Sequence, residues 1–143
     1  MIVFQTHNES VIKKILQDPI IFDAISEDNT SADDLKINRY DTFIIGVNDS
    51  GLIGLVIIEN NGYCHVHVLP KMRKYSKEFG NRCLEWIWAN TEHEHIYCSI
   101  PVIFPNVLAF VEFLGFKKLK TIIEDWRKNG MRHDSIIMTL ERP

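Results

Sequence analysis

The segment CHVHVLPKMRKYSKEFGNRCLEWIW, residues 64–88, combines an apolar run, a basic connection and a long amphipathic run. Its first part, with Tyr63 in front, favours a β-strand over Tyr63–Leu69, and Pro70 ends that strand because proline cannot donate to a ladder. Ser76 is predicted to cap a helix that runs to about Asn90, with its apolar residues along one stripe. The segment therefore predicts a strand, a basic loop and a helix in that order.

The basic loop lies at the start of that helix. A helix start offers unpaired N–H groups and the positive end of the helix dipole, and both favour a phosphate group. Lys71, Arg73, Lys74 and Lys77 make this the most basic stretch of a chain whose net charge is −3. Two interpretations are open: a pyrophosphate-binding site, or a solvated basic loop beside a helix cap.

Hydrophobic periodicity and turn residues place the other elements on both sides of this segment. The Thr6/Glu9 spacing predicts a capping box, Asp18-Pro19 a helix start, and Asn129-Gly130 a two-residue hairpin turn. The resulting order is β-α-α-β-β-β-α-β-α-β-β, which is an α+β plan with a mixed sheet flanked by helices. The flanking strands are expected at Met1–Phe4, Thr42–Val47, Leu52–Ile58, His95–Ile100, Phe116–Trp126 and Met131–Leu140, with a short helix at Pro105–Leu114.

Length and composition fit a single domain over residues 1–143, since 45% of the residues are hydrophobic and no repeat or linker divides the chain. No window approaches the ~18 apolar residues of a membrane span, and the N-terminus lacks the pattern of a signal peptide. Cys64, Cys83 and Cys98 have no CxxC spacing, so neither a disulfide framework nor a zinc site is predicted. From these features we expect a cytoplasmic protein without a membrane partner. Nucleic acid is not an expected partner either, because the net charge is negative and the basic patch is short.

The strand–Pro–x–x–Arg–loop–helix segment resembles motif A of the GNAT acetyltransferase superfamily, whose loop reads Gln/Arg-x-x-Gly-x-Gly/Ala and falls here on Arg73–Glu78. The segment Phe104–Phe116, which ends Phe113-Leu114-Gly115-Phe116, is similar to the motif B helix and its Leu-Gly-Phe ending. Element order and motifs together cover most of the chain from Thr42 to Leu140. The resemblance implies a GNAT-like, mainly antiparallel mixed sheet.

The resemblance also implies that acetyl-CoA binds as co-substrate in a cleft where two parallel strands splay apart. Backbone groups around Val68 and Leu69 would hold the pantetheine arm. A substrate amine would attack the thioester directly in a ternary complex, so neither a covalent enzyme intermediate nor a metal is implied. The pyrophosphate would be held by the backbone amides of Arg73, Lys74, Tyr75, Ser76, Lys77 and Glu78.

The chain departs from the family pattern at three positions. Ser76 stands where the family usually has glycine, and Glu78 stands where it usually has glycine or alanine. A glutamate adds bulk and negative charge beside a phosphate. Val111 aligns with the tyrosine that donates a proton to the leaving thiolate, and valine cannot donate one. These departures favour an alternative: a catalytically degenerate GNAT-fold assembly or binding protein, such as a bacteriophage virion component.

Proton transfer then needs other candidates. His65 and His67 lie near where the family places its base, and their spacing of two puts both on one face of the strand. They are candidate bases, or simply packed and surface histidines. Tyr97, Cys98 or Ser99 on the next strand could supply a proton to the thiolate, and nothing in the sequence chooses among them. The His-x-His spacing has no third ligand at a recognised spacing, so no metal site is predicted.

The stretch from Asp23 to Asp34 is acidic, with no Lys or Arg before Lys36. In the resembling fold it lies over the acceptor side of the cleft, so a negative rim would favour a cationic acceptor; a solvated loop is the other interpretation. The sequence therefore predicts an N-acetyltransferase for a primary amine, either a small molecule or a lysine side chain. A homodimer or another assembly partner stays open.

Overall fold

A computed structural model describes residues 1–143 and contains seven strands and four α-helices. The order of the elements confirms the prediction from the sequence, with two short 3-10 helices added at Ala32–Asp34 and Pro70–Tyr75. The helices are α1 (Glu9–Leu16), α2 (Pro19–Ile25), α3 (Ser76–Asn90) and α4 (Pro105–Phe113). The strands are β1 (Ile2–Gln5), β2 (Thr42–Asn48), β3 (Gly51–Ile58), β4 (Cys64–Val68), β5 (His95–Pro101), β6 (Lys117–Lys128) and β7 (Met131–Glu141).

The strands form two antiparallel sheets that touch at one point. The first has the order β1-β2-β3-β4 and the second the order β5-β7-β6. A single parallel bridge between Tyr63 and Tyr97 joins them, where the Tyr97 N–H donates to the Gly62 carbonyl at 2.9 Å. The expected mixed, mainly antiparallel arrangement is therefore confirmed.

Helices cover both faces of the first sheet, because side chains alternate across each strand. Ile44 of β2 belongs to a core of 14 buried residues that includes Phe79 of α3 and Val111 of α4. Phe43 and Ile45, its neighbours along the strand, belong to a second core of 7 buried residues on the α1–α2 side. No helix is long and apolar enough to cross a bilayer.

Local signals fix several element ends. Asp18 Oδ1 accepts hydrogen bonds from the N–H groups of Ile20 and Ile21, which confirms the start of α2. Asn129 and Gly130 both have positive φ, 54° and 75°, as a two-residue turn of this type requires.

The predicted capping box of α1 was wrong. Asn8 is the cap, and its side chain accepts from the Val11 N–H. Thr6 is buried two residues earlier, where its hydroxyl accepts from the Asn8 N–H.

Candidate active site

An opening separates β4 from β5. Each is an edge strand of its own sheet, and the two run parallel from the Tyr63–Tyr97 bridge. Beyond that bridge no backbone pairing joins them as far as their carboxyl ends at Val68 and Pro101. The backbone pairing of the two parallel strands thus stops after one bridge, as expected of the splayed pair that the resemblance implied.

Backbone groups of β4 line one side of this opening. On the β3 side, the Tyr63 carbonyl accepts from the N–H of Glu59, just after β3, and the Leu69 N–H donates to β3, whereas the Gly62 carbonyl accepts from β5. Because successive residues of a strand direct their backbone groups to opposite sides, those of Val66 and Val68 point into the opening. The backbone groups of Val68 therefore face the opening, whereas the Leu69 N–H donates to the Ile53 carbonyl at 2.9 Å. The backbone groups of Val66 face the same way; sequence reasoning did not name this residue, although the two-residue period of the strand would have.

The basic segment after β4 is helical from its first residue. A 3-10 helix starts at Pro70 and continues directly into α3. The N–H and the Oγ of Ser76 both donate to the Arg73 carbonyl, the latter at 2.7 Å. The prediction that Ser76 caps α3 was therefore wrong: Tyr75 holds the cap position without a side-chain hydrogen bond, and the Ser76 amide is already paired.

The charges of this segment are not neutralised within the chain. The side chains of Lys71, Arg73, Lys74 and Lys77 are exposed and form no ion pair. Lys77 Nζ lies 4.4 Å from the centre of the Phe113 ring, and Lys74 Nζ lies 5.1 Å from that of Tyr75. The Glu78 side chain is also exposed and has no partner within the chain, so one carboxylate stands beside four cations. The segment is therefore a positively charged patch at the end of β4.

His65 and His67 share one face of β4, as predicted, and their rings stack with centres 6.5 Å apart. Val66, between them, packs on the α3 core, so both histidines lie on the α1–α2 side. Burial lowers the pKa of His67 to about 4, with a smaller contribution from His65. His65 is more exposed, and its Nε2 lies 2.8 Å from a carboxylate oxygen of Glu59. His67 is accordingly neutral at pH 7, whereas His65 is held by a surface carboxylate.

Tyr97 lies at the closed end of the opening. Its ring centre is 5.4 Å from that of Tyr63, the residue that it faces across the parallel bridge. Cys98 points to the opposite side and is buried in the α3 core, where burial raises the pKa of its thiol. Val111 is buried in the same core. Of the residues expected to supply a proton to the thiolate, only Tyr97 and the exposed Ser99 remain on the histidine side.

The acidic loop after α2 is bound to the tip of the β6–β7 hairpin. The two carboxylate oxygens of Asp28 accept from the N–H groups of Asn129 and Gly130 at 2.9 and 2.8 Å, and Glu27 accepts from the Arg127 N–H at 3.0 Å. Hydrogen bonds from Gly130 and Asn129 lower the pKa of Asp28. We call this set of contacts the loop–hairpin clasp. Sequence reasoning treated both carboxylates as part of a free negative rim.

Two open grooves lie beside this clasp. The larger, of about 610 Å³, is lined by α2, the loop after it and the hairpin tip. The smaller, of about 300 Å³, has Trp126 on one wall and Leu35 on the other. Asp23 borders the larger groove with its side chain 84% exposed, and its Oδ1 lies 3.5 Å from Nζ of Lys128, which lines the same groove. The α1–α2 side therefore has a partly aromatic recess that carries carboxylates and one lysine, apart from the basic patch at α3.

Solved structures with a similar fold include spermidine N-acetyltransferases. One, from Vibrio cholerae in complex with CoA and spermine, superposes with a TM-score of 0.81 over 99% of this chain and 95% of that chain, at 17% identity. A variant of that organism's enzyme, SpeG, gives 0.79 over 99% and 95% at 15% identity. A chimera of SpeG and hSSAT gives 0.78 over 99% and 97% at 16% identity.

The chain has the GNAT fold. No protein-family model and no curated protein sequence matches it, so the likeness is one of structure. Identities of 15–17% show a shared fold only, and this fold places the opening between β4 and β5. Any chemistry must be argued from the residues that line the opening.

Proposed function

We propose that the chain is an acetyl-CoA-dependent N-acetyltransferase whose acceptor is a small cationic amine. The observation that carries the proposal is the opening between β4 and β5, with free backbone groups on one edge and unpaired cations at its end. A molecule that fits both features has amide groups in an extended arm and a polyphosphate at one end. Acetyl-CoA has this combination.

The co-substrate would be held mainly by this chain's backbone and basic side chains. The pantetheine amides would pair with the edge of β4 at Val66 and Val68, as a third strand would. The pyrophosphate would lie near Arg73, Lys74 and Lys77, where the positive end of the α3 dipole adds to the charge. Because the Ser76 amide is paired, we expect side-chain charge to contribute more than backbone amides.

The acetyl transfer would proceed by direct attack. The acceptor nitrogen, once neutral, forms a C–N bond to the thioester carbonyl carbon, and the C–S bond breaks as the tetrahedral intermediate collapses. His67 is proposed to accept the proton that the amine loses, since its imidazole is neutral at pH 7; because its pKa is about 4, it would pass that proton on to solvent rather than hold it. Tyr97 is proposed to donate a proton to the departing thiolate. His65 would position His67 through ring stacking.

The acceptor class follows from the charge of the grooves. Asp34 is exposed beside the smaller groove and forms no ion pair, whereas Asp23 beside the larger one is already paired with Lys128, so the Asp34 carboxylate is the group proposed to attract a cation. Because one structural neighbour was solved with spermine, a polyamine is the first acceptor to test. A lysine side chain on a peptide is the second.

The test is thiol release from acetyl-CoA in the presence of spermidine, an aminoglycoside or a lysine peptide, each alone. We expect release with at least one amine, and a large rise in KM for acetyl-CoA in Arg73→Glu because that change reverses one of the clustered charges. Lys14→Glu on α1 is the matched control: it makes the same charge change away from the opening and should leave KM unaltered. Absence of thiol release with every amine would contradict the proposal.

A second candidate is a GNAT-fold binding or assembly protein without catalysis. Position 111, where the GNAT pattern has a proton-donating tyrosine, is a buried valine, and the Ser76 amide is already bonded to the Arg73 carbonyl. Both features favour this candidate. Failure to bind acetyl-CoA at millimolar concentration would support this candidate. None of the three neighbours described above is a bacteriophage protein, so a virion role has no support among them.

A further inference from the structure

An irregular segment separates the end of the β6–β7 hairpin from the rest of its sheet. β6 pairs with β7 within residues 117–122 and again over residues 126–128, and no register pair joins the residues between. Glu124 has a positive φ of 51°, and its N–H donates to Asp134 Oδ1 at 2.9 Å. We call residues 126–133 the outer hairpin. Because a bulge interrupts the ladder behind it, its position depends on contacts outside the sheet.

Those contacts come from α2 and the acidic loop. Lys128 adds two hydrogen bonds to the loop–hairpin clasp, from its Nζ to the carbonyls of Asp23 and Ser26 at 2.6 and 2.7 Å. Its side chain is only 13% exposed, and Ser26 is the C-cap of α2, where carbonyls lack helical partners. Asp28 binds the turn of the hairpin through the amides described above. The outer hairpin is therefore fixed both to the end of α2 and to the loop.

Trp126 of the outer hairpin and Asp34 of the loop line the same small groove. The Nε1 of Trp126 is buried without a hydrogen-bond partner. An unpaired buried donor destabilises a fold, so other contacts must hold this ring in place, and the clasp supplies such contacts. The Asp34 carboxylate is exposed and forms no ion pair. An aromatic ring and a free carboxylate in one groove suit a cationic nitrogen.

We propose that the loop–hairpin clasp forms the acceptor site by bringing Trp126 and Asp34 together, with Lys128 and Asp28 as positioning residues. The proposal rests on the proposed function for the identity of the acceptor. The nitrogen that attacks the thioester must be neutral, so the charged nitrogen in this groove is a second one. The acceptor is therefore a diamine or a longer polyamine. No clasp residue belongs to the β4–β5 opening, so acetyl-CoA binding does not depend on the clasp.

Calorimetric titration with spermidine, and separately with acetyl-CoA, tests the site. Trp126→Ala removes the ring and Lys128→Met removes the bonds to α2; each should weaken spermidine binding about tenfold or more and leave acetyl-CoA binding within about twofold. Trp126→Phe and Lys128→Arg keep a ring and a charged donor and should stay within about threefold of the wild type. Asp33→Ala is the control, because it removes a loop carboxylate that lines neither groove.

Amide hydrogen exchange separates positioning from direct contact. The Lys128 side chain does not bond to the amides of Asn129 and Gly130, which Asp28 holds. If the clasp is one unit, Lys128→Met should speed exchange of both amides about tenfold or more, whereas Trp126→Ala should leave their exchange unchanged.

Four results would overturn the proposal: a wild type that does not bind spermidine, or binds it no more tightly than butylamine; undiminished spermidine binding by Trp126→Ala; equal losses of spermidine and acetyl-CoA affinity in Lys128→Met; or unchanged amide exchange in Lys128→Met. A wild type that binds spermidine but not acetyl-CoA would contradict the proposed function and leave the clasp proposal standing.

Discussion

Arg142 holds together the end of α3 and the loop that leads to β5. Its guanidinium donates three hydrogen bonds to main-chain carbonyls: Nε to His93 at 3.0 Å, and Nη1 and Nη2 to Trp88 and Thr91, both at 2.7 Å. Its Cζ also lies 5.1 Å from the centre of the Trp88 ring. Carbonyls at a helix C-terminus lack intrahelical partners and carry the negative end of the dipole. The side chain therefore caps α3 with a positive charge.

The expected cost of removing this cap follows from its geometry. A hydrogen bond to a charged group contributes about 1.5–3 kcal/mol, but the freed carbonyls regain water because the Arg142 side chain is 25% exposed. We therefore expect Arg142→Ala to lower the free energy of unfolding by about 3 kcal/mol, a fall in Tm of about 6–12 °C. Arg142→Lys keeps the charge but not the three-way fork, and should cost about 1–2 kcal/mol.

Urea unfolding followed by tryptophan fluorescence measures both variants, with Lys14→Ala as an exposed control that should be near neutral. A loss below about 1 kcal/mol for Arg142→Ala would show that the three bonds contribute little, contrary to the reasoning. So would an Arg142→Lys variant as stable as the wild type.

Three further predictions concern the clasp and β4. At pH values above its ordinary pKa of 3.8, ionised Asp28 stabilises the fold, and this effect is lost as the pH falls through the lowered pKa of the folded chain. Acid-unfolding curves of the wild type and Asp28→Ala should therefore differ at neutral pH and converge in acid. Between pH 6.5 and about 4, His67 binds a proton in the unfolded chain but not in the folded one. As the pH is lowered from 6.5 to about 4, the free energy of unfolding should therefore fall by up to about 3 kcal/mol. His67→Asn should remove this pH dependence. Gly54→Ala would drive a Cβ into the His67 carbonyl and should cost about 2 kcal/mol or more in urea unfolding; a neutral effect would contradict the tight β3–β4 contact.

Local signals made most of the fold predictable. Asp18-Pro19 and Asn129-Gly130 each specify a backbone conformation within a few residues, and both were confirmed. Ser76 was wrong for an equally local reason: a serine before an amphipathic run is the pattern of an N-cap, but the 3-10 helix from Pro70 continues into α3 and its Arg73 carbonyl takes the Ser76 donors. The sequence pattern is the same in both situations.

Contacts between distant segments were not predictable. Asp28 bonds to the amides of Asn129 and Gly130, about a hundred positions away, and backbone amides leave no charge signal in a sequence. Charge patterning could indicate only that the loop is negative. The splay of β4 from β5 is likewise set by the packing of two sheets, and it became an expectation only through the resemblance to GNAT motifs.

Calorimetric titration measures the binding of acetyl-CoA itself, the molecule to which the opening beside Val68 and the cations around Arg73 are assigned. We expect saturable binding in the micromolar range, weakened at least tenfold by Arg73→Glu and unchanged by Lys14→Glu. Heats indistinguishable from dilution at millimolar acetyl-CoA, or equal binding by Arg73→Glu and the wild type, would contradict it.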